Sequence, residues 1–169
     1  KEFLLVWTTT PWTLSANVAV AVNPKLTYTK YSAEGGSASG GKVEYLWSYN
    51  TPPKVDGIKL EVVEKISGKK LVGLKYEPLY EISKSRSFNI PIYQVIAADF
   101  VSTEEGTGLV HIAPAFGEED LKAAGKDAVP VTIDDRGIVN KGLPGAGKFI
   151  KQADDDIIAD LEKRGLLHS

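Results

Sequence analysis

Cysteine and methionine are both absent from this chain of 169 residues. Without cysteine there is no disulfide framework, no thiolate nucleophile and no Cys-ligated zinc. That agrees with a reducing compartment, and a cytoplasmic location is expected. With no methionine, the chain opens at Lys1 inside an apolar run, Glu2–Trp7, that reads as a strand already under way. A piece cut from a longer protein is therefore expected, with any localisation signal or partner domain outside it. Long hydrophobic runs are missing too. Val18–Val22 is among the longest, far short of the roughly 20 residues of a membrane span, so no membrane partner is expected. A basic excess is also lacking, since Lys+Arg number 20 against Asp+Glu 22 for a net charge of −2. A protein that grips nucleic acid unaided shows a clear basic excess, so any such partner is held mostly by something else.

What is present is the composition of a soluble globule, 43% hydrophobic and 25% charged. The length suits one domain over residues 1–169, able to bury roughly 70% of its unfolded surface. The first two-thirds read as β: Phe3–Trp7, Val18–Val22, Thr27–Tyr31, Val43–Tyr49 and Leu60–Ile66, separated by Pro and Gly breakers. Asn89–Ala98, with Pro91 marking an edge or entry position, Leu109–Ala113 and Val129–Ile133 complete the strands. Two helices are predicted, Gly117–Gly125 with acids in its first turn and Gln152–Arg164 with Gly165 as its stop. Gly35–Lys42 reads as a hairpin loop. The class is mainly β with a few helices (α+β), in a barrel or sandwich.

Several signals fail on inspection. G-x-x-x-x-G-K occurs at Gly36–Lys42 and Gly142–Lys148, but a phosphate loop needs Ser or Thr next and a helix behind it. Val43 follows the first and Phe149 the second. His111 and His168 share no metal-ligand spacing, and no Gly-x-Ser-x-Gly elbow exists.

Two segments remain. Trp7-Thr8-Thr9-Thr10-Pro11-Trp12-Thr13-Leu14, with Asn17 beyond, ends a strand in a dense cluster of hydroxyls. Gly106-Thr-Gly-Leu-Val-His111-Ile-Ala-Pro-Ala-Phe-Gly-Glu-Glu-Asp120 launches a strand from a Gly-Thr-Gly turn and ends in a helix start. Taken singly, the threonines fit strand propensity, His111 a satisfied core or surface histidine, and Asp120 a helix-start acid.

Together, and with the closing Ala-Asp-Asp-Asp-Ile-Ile helix, the two segments resemble the editing domain of isoleucyl-tRNA synthetases. The resemblance spans most of the chain. Valyl and leucyl relatives typically carry Thr-Thr-Arg-Pro where this chain has Thr8–Pro11, and typically lack a histidine at position 111. Ser15 stands where many relatives have proline, a departure expected to loosen the turn. The adenylation signatures of the synthetase core are absent.

The resemblance implies a barrel-like editing domain that hydrolyses mischarged Val-tRNA(Ile), and valyl-adenylate as well. A hydrophobic pocket gains only about 1–3 kcal/mol from one methylene, a limit known from these same synthetases. A second, smaller site then has to reject isoleucine and hydrolyse the valyl ester. By resemblance, Asp120 holds the α-ammonium, His111 and Trp12 line the side-chain pocket, and Thr8, Thr9 and Thr10 contact the aminoacyl-adenosine and the water. Asn17 matches a polar residue near that segment. No cofactor, metal or covalent intermediate is implied. The implied partners are the tRNA acceptor end, bound weakly by a monomeric piece, and the remainder of the parent synthetase. The alternatives are a non-catalytic module that binds the acceptor end, or the editing domain of a valyl or leucyl relative.

Overall fold

The computed structural model describes residues 1–34, 44–52, 58–81, 92–125 and 129–168. The readings of Gly35–Lys42, of the first G-x-x-x-x-G-K match and of Pro91 lie outside them. Among the described residues seven strands are formed: β1 Glu2–Leu4, β2 Ala19–Val22, β3 Thr27–Glu34, β4 Glu44–Ser48, β5 Lys59–Ser67, β6 Gln94–Ala97 and β7 Leu109–Ile112. Two α-helices follow, α1 Glu118–Ala124 and α2 Ile150–Lys163, and 3-10 helices span Pro11–Ala16 and Gly68–Lys70. The fold is mainly β with few helices. No helix among the described residues is long and apolar enough to cross a membrane.

The strands divide between two sheets, in the orders β1-β4-β3-β5 and β6-β2-β7. Among the described residues they do not close into one barrel; side chains of both sheets share a core cluster. β2 is the middle strand of the smaller sheet, parallel to β6 and antiparallel to β7. All four of its residues are buried, as expected of a central strand covered on both faces. Side chains alternate along a strand, so Ala19 and Ala21 enter one core cluster with Ile112 and Ala124. Val20 and Val22 enter another, with Tyr28, Trp47 and Leu109, which joins the two sheets. A third cluster sets Leu14 of the first 3-10 helix against Ile157 and Leu161 of α2, with Trp12 packed on it.

One strand is not formed. Val129–Ile133 contributes only an isolated bridge, Ile133 to Val139. The Asp134 carboxylate accepts the N–H groups of Arg136 and Ile138, and Gly137 has a positive φ of 75°. This tight turn, with its own local bonds, reverses the chain before a ladder can extend. In the same region the loop of the second G-x-x-x-x-G-K match is self-satisfied. The N–H groups of Ala146, Gly147 and Lys148 go to backbone carbonyls, and Lys148 pairs with Asp156 at 2.6 Å.

Candidate functional site

The threonine segment leaves β1 and stops at Pro11, whose fixed φ opens a 3-10 helix. Its hydroxyls make a chain. Thr8 Oγ1 lies 3.3 Å from Thr10 Oγ1 and accepts the Thr10 N–H at 3.1 Å. Thr10 Oγ1 lies 3.4 Å from Thr13 Oγ1. Thr13 Oγ1 donates to the Thr10 carbonyl at 2.8 Å and lies 3.1 Å from His111 Nε2. A hydroxyl has one proton and two lone pairs. With its proton on the carbonyl, Thr13 accepts from Nε2–H of His111, which fixes the tautomer and leaves Nδ1 bare.

His111 comes from β7, paired across the sheet with Val20. Its ring is buried, and Nδ1 is the one buried side-chain polar atom without a partner among the described residues. Burial holds its pKa below the ordinary value, with the Asp120 charge acting weakly the other way. The ring is thus neutral near pH 7, one nitrogen engaged and the other sealed from water. Held in this way, it is a hydrogen-bond partner of Thr13 and is not placed to act as a general base for an outside water.

Asp120 sits on the first turn of α1 and folds back, its Oδ2 accepting the Ala113 N–H at 2.9 Å. A Cβ on Gly117 would meet Asp120 Cγ at 3.1 Å, so glycine there lets the carboxylate lie over the helix start. The end of β7 and the start of α1 are therefore fastened together.

A second tie joins the two segments: the rings of Trp12 and Phe116 meet edge to face at 4.7 Å, with an interplanar angle of 65°. The Trp12 N–H donates to Asp154 Oδ1 of α2 at 2.8 Å. Ser15, expected to loosen the turn, fastens it instead, bonding the Trp12 carbonyl at 3.0 Å and Thr132 Oγ1 at 3.2 Å. An open depression of about 440 Å³ is lined by Trp7, Thr51, Glu105, Gly106 and Thr107, and by none of Thr8, Thr10, Trp12, His111 or Asp120. Both motifs border it, and the Trp7 indole is 51% exposed.

The structure thus brings together Thr8, Thr10, His111, Asp120 and Trp12. Thr9 is exposed, and its side chain has no hydrogen-bond partner among the described residues. Asn17 is buried and turned elsewhere, donating to the Ala19 carbonyl at 2.8 Å and accepting from the Tyr76 hydroxyl. Sequence reasoning missed Thr13, Phe116 and Asp154. All three stood inside quoted segments, Thr13 three residues beyond Thr10 and so on the same side of a helical turn, and Asp154 in the closing Ala-Asp-Asp-Asp-Ile-Ile stretch. Nothing local marked the role of Asp154, since its partner lies 142 positions away. Among the described residues, no group of three or more His, Asp or Glu is placed to hold a metal.

No protein-family model matches the chain. It is 42% identical over 167 residues to an isoleucine–tRNA ligase of Bdellovibrio bacteriovorus, covering 97% of the chain. The corresponding protein of Pyrococcus furiosus is 41% identical over 178 residues, and that of Archaeoglobus fulgidus 43% over 175. In each case the match takes up 16% of the relative, so the chain spans about one-sixth of its relatives' length. Among solved structures, one described as GlLeuRS-CP1 superposes with a TM-score of 0.70 at 16% identity, covering 98% of this chain and 82% of that one. The P. knowlesi cytosolic leucyl-tRNA synthetase editing domain gives 0.63 at 11%, covering 96% and 82%. At such identities the likeness is one of fold.

Proposed function

We propose that the chain, a homologue of one segment of the isoleucine–tRNA ligases, is their hydrolytic editing domain, removing valine from mischarged Val-tRNA(Ile) and from valyl-adenylate. The observation that carries this reading is the hydroxyl chain from Thr8 through Thr10 and Thr13 to His111. Asp120 of α1 is tied by the Ala113 N–H to the end of the strand that carries His111.

Each group has a role that its bonding permits. One Asp120 oxygen is occupied by Ala113, which fixes the carboxylate and leaves the other oxygen for the α-ammonium of the aminoacyl group. His111 and Trp12 wall the side-chain pocket; both are held by neighbours, so bulk beyond valine meets rigid rings. Thr8, Thr9 and Thr10 supply hydroxyls to the ester and to the attacking water. Water adds to the ester carbonyl, the bond to the ribose oxygen breaks, and that oxygen leaves with a proton, giving valine and free tRNA. An aminoacyl ester is already reactive, so holding water and carbonyl in line supplies much of the rate. Asn17 supports the segment through Ala19 and Tyr76. Trp7 offers an exposed aromatic face beside the threonines, of the kind on which a nucleobase stacks.

With a net charge of −2, this monomeric, cytoplasmic domain, residues 1–169, binds the acceptor end weakly, and the remainder of the parent synthetase holds the tRNA. The test is deacylation of Val-tRNA(Ile) and Ile-tRNA(Ile) by the chain. Release of valine with isoleucine retained supports the reading; inertness towards both esters overturns it.

A further inference from the structure

The N-terminus of a helix usually satisfies its free N–H groups with the side chain of its own N-cap residue. Thr10 is the N-cap of the 3-10 helix and is of the preferred type, yet it makes no side-chain cap bond. Of the N–H groups that such a cap serves, the one on Trp12 goes to Asp154 Oδ1, and the one on Thr13 returns to the Thr10 carbonyl. The hydroxyl of Thr10 is therefore released from capping and lies in the cluster with Thr8 and Thr13. Asp154 is able to reach because α2 is clamped on this helix. Ile157 and Leu161 pack on Leu14. Gly145, whose Cβ would stand 2.5 Å from that of Ala153, lets the preceding loop lie flat on the first turn of α2.

We propose that Asp154 is a positioning residue of the editing site: it caps the threonine helix from a distance and so frees the Thr10 hydroxyl for the substrate. This rests on the editing reading above. Without Asp154, the acceptor that a helix start ordinarily offers the Trp12 N–H is the N-cap side chain, Thr10 Oγ1. A χ1 rotation then converts Thr10 to an ordinary cap and takes its hydroxyl out of the cluster.

The test uses deacylation of Val-tRNA(Ile) by the chain and its Asp154→Ala, Asp154→Asn and Arg164→Ala variants. Asp154→Ala is expected to lower kcat by about 10- to 100-fold with KM little changed, and to deprotect the Trp12 amide in hydrogen exchange. Asp154→Asn keeps an oxygen at the same place and is expected to restore both readouts. Arg164→Ala cuts the ion pair with Asp160 and the bond to the Leu79 carbonyl at the far end of α2. It is expected to lower Tm without lowering kcat, which separates positioning from mere anchoring of α2. Should Asp154→Ala prove too unstable to assay, Asp154→Glu, which shifts the oxygens by a methylene, is expected to show the same kcat loss. Full kcat in a folded Asp154→Ala or Asp154→Glu chain, with the wild type active, overturns the role of Asp154 alone. A wild-type chain inert towards both esters overturns the editing reading and the positioning role together.

Discussion

The hydroxyl of Thr13 stands 3.1 Å from Nε2 of His111 and 2.8 Å from the carbonyl of Thr10. The first bond connects residues 98 positions apart, and the two together settle the protonation of both partners. Thr13 spends its only proton on the carbonyl, so the imidazole donates. The bare nitrogen faces the protein interior, where a positive charge has no water to solvate it. His111 is thereby a neutral ring held by one hydrogen bond.

Thr13→Val keeps the shape of the side chain and removes the hub. Nε2–H of His111 then loses its acceptor inside the protein, which costs about 1–3 kcal/mol. Denaturant unfolding should show a loss of that size. The His111 ring, no longer held, should also discriminate less sharply, so hydrolysis of Ile-tRNA(Ile) should rise relative to Val-tRNA(Ile). Unchanged stability would refute the assignment of donor and acceptor.

Stability should fall as the pH drops below about 6.5. The His111 pKa is lowered in the fold from an ordinary value of 6.5, so the unfolded chain takes up the proton first and stability rises with pH through this window. One proton sets a ceiling of about 1.4 kcal/mol per pH unit. The contribution is complete above pH 6.5 and is lost towards the lowered pKa. Denaturation curves between pH 5 and 7.5 should show this slope, and His111→Gln should flatten it. An equal slope in the variant would place the proton elsewhere.

How much of this was legible beforehand follows from the range of the signals. Strand cores such as Val18–Val22 announce themselves by continuous apolar residues, and α2 by its 3.6-residue period and Gly165 stop. Acids mark the start of α1. Val129–Ile133 has the composition of a strand, but the turn at Asp134 is stronger than its propensity. The Thr, His and Asp positions of the site were visible as motif residues. Their bonds were not, because Thr13 to His111 and Trp12 to Asp154 depend on how sheet and helix dock. Ser15 shows the same limit: a position that reads as a weakened turn carries two hydrogen bonds once Thr132 is brought beside it.

Gly108→Ala should be poorly tolerated. Its φ is +72°, and an added Cβ would stand 2.4 Å from that of Tyr49. Its carbonyl also accepts from the buried Tyr28 hydroxyl at 2.8 Å. Backbone strain and a clash with a packed ring together imply a loss of at least about 2 kcal/mol. Because Gly108 opens β7, the strand that carries His111, deacylation should fall along with Tm. A neutral outcome in thermal unfolding would show that the Gly-Thr-Gly turn tolerates a side chain there.

Asp120 separates charge from hydrogen bonding in a way that two substitutions can read. Asp120→Ala removes the ammonium anchor and also strips the acceptor from the Ala113 N–H, so it should abolish deacylation and lower stability by about 1–3 kcal/mol. Asp120→Asn retains an oxygen for Ala113 and loses only the negative charge. Its unfolding midpoint should stay close to wild type, while hydrolysis of Val-tRNA(Ile) should fall by about 10²-fold or more, as expected when an ammonium loses an ionic partner in a confined site. The same change removes the charge that raises the pKa of His111, so the acid slope of stability should extend to lower pH in Asp120→Asn. A neutral amide that hydrolyses the ester at the wild-type rate would mean that Asp120 serves the loop and not the substrate.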